Sequence, residues 1–142
     1  MTTPSQASTG NVAGGLVASS LNAALTVKDI QKSLAWYRDV FGFAVDQEFK
    51  SPDGQLRGVA MRAGAVRILI NQDDGAKGWD RMKGQGFALQ LVTEQSIDDV
   101  ANRIKGAGGT LSLEPMDAPW GVRIFRIEDL DGFKWSVSSP RP

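Results

Sequence analysis

The chain has 142 residues, 42% of them hydrophobic, with 16 basic and 16 acidic side chains, no histidine and no cysteine. That length suits one domain burying about two-thirds of its unfolded surface. The composition excludes disulfides, thiol chemistry, a Ser-His-Asp triad and any metal site built on imidazole or thiolate, and the balanced charge without a basic run argues against nucleic acid as a partner.

Residues 1–20 carry no charged side chain. They lack the basic start and the apolar stretch of about 7–15 residues that a secretory leader needs. A flexible N-terminal tail is expected there, and a cytoplasmic protein. No apolar stretch approaches the roughly 18 residues of a membrane span. In 21–27 (LNAALTV), Ala23, Leu25 and Val27 alternate with Asn22, Ala24 and Thr26, which predicts a strand. Asp29 stands where a helix N-cap belongs. Ile30, Leu34, Tyr37, Val40 and Phe41 recur at helical steps, predicting an amphipathic helix over 29–41 that stops at Gly42. Strands are predicted at 43–50, 56–62 and 65–72, with turns at Ser51-Pro52-Asp53-Gly54 and Ala63-Gly64. A linker rich in Asp, Gly and Lys covers 73–85 and includes Trp79.

The pattern then restarts. A strand is predicted at 87–92, then a helix carrying Ile97, Val100, Ala101 and Ile104 that ends at Gly106-Ala107-Gly108-Gly109. A short strand follows at 110–113, a loop at 114–119, a strand at 121–127, a turn at 129–132 and a last strand at 133–138. Leu25 corresponds to Leu89 at an offset of 64, Gly58-Val59 to Gly121-Val122 at 63, and Gly64 to Gly132 at 68. Nearly constant offsets are the mark of an internal duplication.

Three stretches carry a family likeness: LTVKDIQKSLAWYRDVFGF at 25–43, RIKGAGGT at 103–110 and PWGVRIFRIEDLDGFKW at 119–135. With these the chain resembles the vicinal oxygen chelate superfamily, which includes glyoxalase I, extradiol dioxygenases and the bleomycin- and fosfomycin-resistance proteins. The resemblance implies an α+β fold. Two βαβββ modules form a curled, mostly antiparallel sheet around a cleft, with the helices outside. One domain then spans 21–139, with module one at 21–72, the linker at 73–85 and module two at 86–139.

Metal-using members of that superfamily place four ligands on four cleft strands. The matching positions are Asn22, Ile68, Gly86 (or Phe87 in the neighbouring register) and Ser136. No carboxylate, imidazole or thiolate stands at any of them. No metal and no cofactor are therefore expected, and metal-dependent glyoxalase or dioxygenase activity is not. Strand parity anchored on those positions turns Asn22, Ala24 and Thr26, then Val66, Ile68 and Ile70, then Gly86, Ala88 and Gln90, and finally Lys134, Ser136 and Ser138 toward the cleft. This mixed lining suits a small organic ligand. Trp120 precedes a strand, either stacking on a planar ligand or plugging the sheet edge. Arg123 and Arg126 fall on opposite faces, so at most one enters the pocket. None of the 16 carboxylates falls on these cleft positions, though Asp46 or Glu48 can approach from an edge strand. The candidate ligand-binding set is Asn22, Thr26, Ile68, Gln90, Trp120, Lys134 and Ser136, with no catalytic residue and no metal ligand assigned. The expected protein is a non-catalytic binder of an antibiotic or metabolite, related in kind to antibiotic-resistance proteins. The alternative is a metal-independent isomerase or lyase acting on a small carbonyl compound. The family analogy adds a homodimer.

Overall fold

The computed structural model describes residues 14–141. The expected tail falls partly on residues 1–13, outside the described residues. Residues 14–20 are exposed and hold no strand or helix.

Module one contains strand β1 (Ala23–Val27), helix α1 (Ile30–Ala35), a π-helical turn (Trp36–Phe41), and strands β2 (Ala44–Lys50), β3 (Leu56–Ala63) and β4 (Val66–Gln72). Module two contains β5 (Leu89–Val92), α2 (Ile97–Gly106), β6 (Leu113–Asp117), β7 (Val122–Glu128) and β8 (Lys134–Pro140). The sheets run β1-β4-β3-β2 and β5-β8-β7-β6, so the same βαβββ topology occurs twice. In each sheet the first and last strands pair in parallel and the other pairs are antiparallel. Leu25 pairs with Ile70, and Leu89 with Trp135, so the residues matched by the repeat occupy equivalent places.

Each element has a local cause. The Asp29 side chain accepts the Lys32 N–H at 3.2 Å and caps α1, and the Ser96 hydroxyl accepts the Asp99 N–H at 3.3 Å and caps α2. The first helix differs from the single α-helix predicted over 29–41. Its second half widens into π turns and ends at Gly42, whose φ is +107°. Trp36, Tyr37 and Phe41 there form one aromatic cluster with Phe43 and Trp135. The strand expected at 110–113 lies instead at Leu113–Asp117, across the predicted loop. Pro115 lacks an N–H, yet this is the sheet edge, and the register shift between Leu113 and Met116 accommodates it.

The core spans both modules. Leu25, Val27, Val59, Met61, Ile68 and Ile70 under α1 belong to the same buried cluster as Ile97, Ile104, Phe125, Ile127, Trp135 and Val137 under α2. The linker is tied to both. Lys28 of module one pairs with Asp80 at 2.5 Å, and Lys83 Nζ lies 3.0 Å from Asp73 Oδ2 and 3.3 Å from Asp131 Oδ2 of module two. Gly84 follows at φ +75°, pressed on the Gly132 carbonyl. A Cβ there would overlap that carbonyl, and the backbone region disfavours any L side chain. Gly84→Ala is expected to lower stability by about 2 kcal/mol, read from urea midpoints.

Candidate functional site

Pairing registers decide which side chains share a face. Gln90 pairs with Ser136, Arg126 with Ser136, Ile124 with Ser138 and Glu128 with Lys134. The alternate residues Phe125, Ile127, Trp135 and Val137 are buried in the core. The remaining face of the second sheet is therefore the cleft face. It lines a cavity of about 260 Å³ that includes Gln90, Ser112, Trp120, Ile124, Arg126, Glu128, Lys134, Ser136 and Ser138. The Lys134 ammonium donates to the Gly84 carbonyl at 3.1 Å. Trp120, in the β6–β7 loop, is 66% exposed at the cavity.

A wider opening of about 820 Å³ adjoins it, lined by Asn22, Ala24, Arg67, Phe87, Ala88 and Gln90 among others. The two share Ala88, Gln90, Val92 and Trp135. Of the seven residues singled out from sequence, Gln90, Trp120, Lys134 and Ser136 meet in the first cavity. Asn22 lines the second, with Gln90 between them. Thr26 lies on the same face of β1 as Ala24 but lines neither cavity.

Ile68 requires a correction. It pairs with Ala23, and Ile70 pairs with Leu25, which places both on the helix side of the sheet. Ile68 is 4% exposed and belongs to the core. It touches the wider opening only from that buried position. The cleft face of β4 is carried by Arg67, Leu69 and Asn71. Along β4 the polar residues Arg67 and Asn71 alternate with the apolar Val66, Ile68 and Ile70, a pattern that fits the observed orientation; the expectation failed because the strand was anchored on the family's ligand position at Ile68. Arg126, Glu128 and Ser112 were not assigned to the site by sequence; only the β7 and β8 register places the first two there. Arg123, on the helix side, is held by Asp98 at 2.8 and 2.9 Å and by Asp117 at 3.1 Å. Asp46 bridges Arg62 and Arg67 at 3.2 and 2.9 Å. Trp79 packs on Gly75 and lines a separate groove with Asp29 and Asp73, so it does not cap the cleft.

The residues do not fit a divalent cation. With the corrected orientation of β4, the positions hold Asn22, Arg67 or Leu69, Gly86 and Ser136: one amide, one hydroxyl and two without a metal-ligating group. Zinc takes about four N, S or O ligands, and hard cations want several oxygens, usually carboxylates among them. Among the described residues no group of three or more His, Cys, Asp or Glu side chains is placed to hold a metal ion.

A buried polar network lies behind the cavity. The Tyr37 hydroxyl donates to Asp129 Oδ2 at 2.5 Å and accepts from Trp135 Nε1 at 3.1 Å. Asp129 Oδ1 accepts the N–H groups of Asp131 and Phe133 at 2.9 and 2.8 Å. Burial pushes the Asp129 carboxyl above its usual range against the pull of these donors, and burial beside Asp129 pushes the Tyr37 phenol far up. The phenol therefore stays protonated and acts as a fixed donor.

A duplicated βαβββ fold with a cleft beside the first strands defines a protein of the vicinal oxygen chelate type. The model of the Glyoxalase/Bleomycin resistance protein/Dioxygenase superfamily matches residues 20–137, and the chain belongs to that superfamily. It is 26% identical over 126 residues to an uncharacterized protein of Mycobacterium bovis, covering 85% of this chain and 83% of that one. A probable lactoylglutathione lyase of Synechocystis is 25% identical over 119 residues, covering 80% of this chain and 89% of the relative. Among solved structures, TioX from Micromonospora sp. ML1 superposes with a TM-score of 0.67 at 21% identity, over 87% of this chain and all of that one. No helix among the described residues is long and apolar enough to cross a membrane.

Proposed function

We propose that this protein binds a small organic molecule in the cleft of module two without a metal ion, sequestering an antibiotic or a metabolite in the cytoplasm. One observation carries the reading: an exposed tryptophan, an apolar floor and several hydroxyls converge on one cavity, while the family's ligand positions hold no set of donors for a cation. Binding needs only shape, stacking and a few hydrogen bonds, and those groups supply them. Titration calorimetry with a panel of planar aromatic compounds tests it. Micromolar binding that survives exhaustive chelation is expected, weakened about tenfold by Trp120→Ala, the scale of one lost aromatic stack. Silence across the panel, or a stoichiometric cation whose removal abolishes binding, overturns it.

A second reading, a metal-independent isomerase or lyase acting on a small carbonyl compound, is favoured by Glu128 and Lys134. They face each other across β7 and β8 inside the cavity, a carboxylate and an ammonium within reach of one substrate. Turnover that persists in chelator and fails in Lys134→Ala supports it. A homodimer fits either reading. Phe49, Val66, Phe87, Val92 and Met116 are exposed apolar side chains that a second copy would cover. Native mass spectrometry reports the assembly and any retained ligand together.

A further inference from the structure

The charges inside the cavity are unevenly satisfied. On β7, Arg123 is clamped by two carboxylates. Arg126, three residues on and facing the cavity, has no carboxylate within 4.0 Å among the described residues, whereas Arg62 and Arg67 share Asp46. Lys134 also lacks an ion pair there; its ammonium rests on the Gly84 carbonyl. Glu128 pairs in register with Lys134 but reaches neither cation. Two cations and one carboxylate leave the cavity one positive charge in excess, while the whole chain is balanced. The excess is thus local to this cavity.

The surroundings of Arg126 define the shape of what it would hold. Ser136 lies directly opposite on β8, and on the other side the Ser112 N–H donates to the Arg126 carbonyl at 2.9 Å. Both serines line the cavity with Arg126, so one guanidinium and two hydroxyls are available to a single ligand. That arrangement matches the two oxygens of a carboxylate, which a guanidinium binds through two parallel hydrogen bonds. A single excess charge suits a monoanion better than a doubly charged phosphate. Ile124, with Ala88 and Val92, gives an apolar floor and Trp120 a flat face at the rim. At about 260 Å³, the space lies below the usual range of drug-sized sites and suits one or two fused rings.

We infer that the cavity recognises a planar aromatic monocarboxylate, with its ring against Trp120 and its carboxylate on Arg126, Ser112 and Ser136. This rests on the reading of the cavity as a small-molecule site. Calorimetry with 2-naphthoate and its neutral isostere 2-naphthamide tests it. The acid is expected to bind at least about tenfold more tightly than the amide, because the charge-assisted contact is missing in the amide. Arg126→Gln should erase that preference, with the fold of the variant checked by its melting temperature; Arg126→Lys should keep part of it. Glu128→Gln, which raises the excess charge, should tighten the acid alone. Equal affinity for acid and amide in the unaltered protein, or a preference that survives Arg126→Gln, overturns the carboxylate assignment and leaves small-molecule binding standing. Binding of neither compound overturns both.

Discussion

Trp135→Ala is expected to destabilise the protein by about 3–5 kcal/mol, the range for removing a large buried aromatic side chain. Trp135 belongs to β8 of module two, yet its ring packs against Phe41 at 5.2 Å, Phe43 at 5.8 Å and Tyr37 at 6.1 Å, all from module one. Two of these contacts are edge-to-face, the favoured geometry for aromatic pairs. The truncation opens a cavity at the join between modules and strips the Tyr37 hydroxyl of its indole donor. The melting temperature should fall by about 10–15 °C in calorimetry. Trp135→Phe keeps most of the packing and loses only the indole contact, so a smaller loss is expected. A drop below about 1 kcal/mol for the alanine variant would show that the modules do not share a core.

Tyr37→Phe is expected to cost about 2–4 kcal/mol, although it removes a single oxygen. The loss strands two buried groups at once, Asp129 Oδ2 and Trp135 Nε1. A buried donor or acceptor left unsatisfied carries its full desolvation cost. The effect should depend on pH. Burial already raises the Asp129 carboxyl, and the Tyr37 hydroxyl is the first of the donors that restrain it. A carboxyl raised by folding favours the native state at low pH; that contribution fades as pH climbs through the folded value. Without the hydroxyl the folded value climbs further, so the variant should lose more stability at pH 7 than at pH 4. Asp73 works in the opposite sense. Lys83 and the Gly75 N–H hold it near about 2, so its contribution is present above its unfolded value of 3.8 and disappears as pH falls toward 2. Urea unfolding at several pH values separates the two. In the double variant Tyr37→Phe with Asp129→Asn, the loss should be smaller than the sum of the single losses; simple additivity would mean that the short contact carries no coupling.

The elements were legible where the pattern was local. Strict alternation in 21–27, the helical spacing of Ile97, Val100, Ala101 and Ile104, and the Asp29 cap each follow from neighbours in the chain. Ser136 and Lys134 could be placed beside Gln90 because polar and apolar residues alternate along β8. The β4 strand carried a similar signal in Arg67 and Asn71, but anchoring its face on the family's ligand position at Ile68 reversed it, and the register with β1 gives the true orientation. The edge strand at Leu113–Asp117 was obscured by Pro115, which reads as a loop residue unless a partner strand is present. The π turns at Trp36–Phe41 likewise coincide with packing partners that the helix itself does not contain.

By itself the sequence determined the duplication, the α+β class and the lack of imidazole and thiolate, because composition and short-range periodicity are properties of the chain before it folds. Tertiary structure decided the rest. The Tyr37–Asp129 and Tyr37–Trp135 bonds join residues 92 and 98 positions apart, and the cavity around Arg126 is assembled from three strands and the loops between elements of module two. Which faces meet depends on strand register and on burial shared between modules, and neither leaves a mark in residues that are adjacent along the chain.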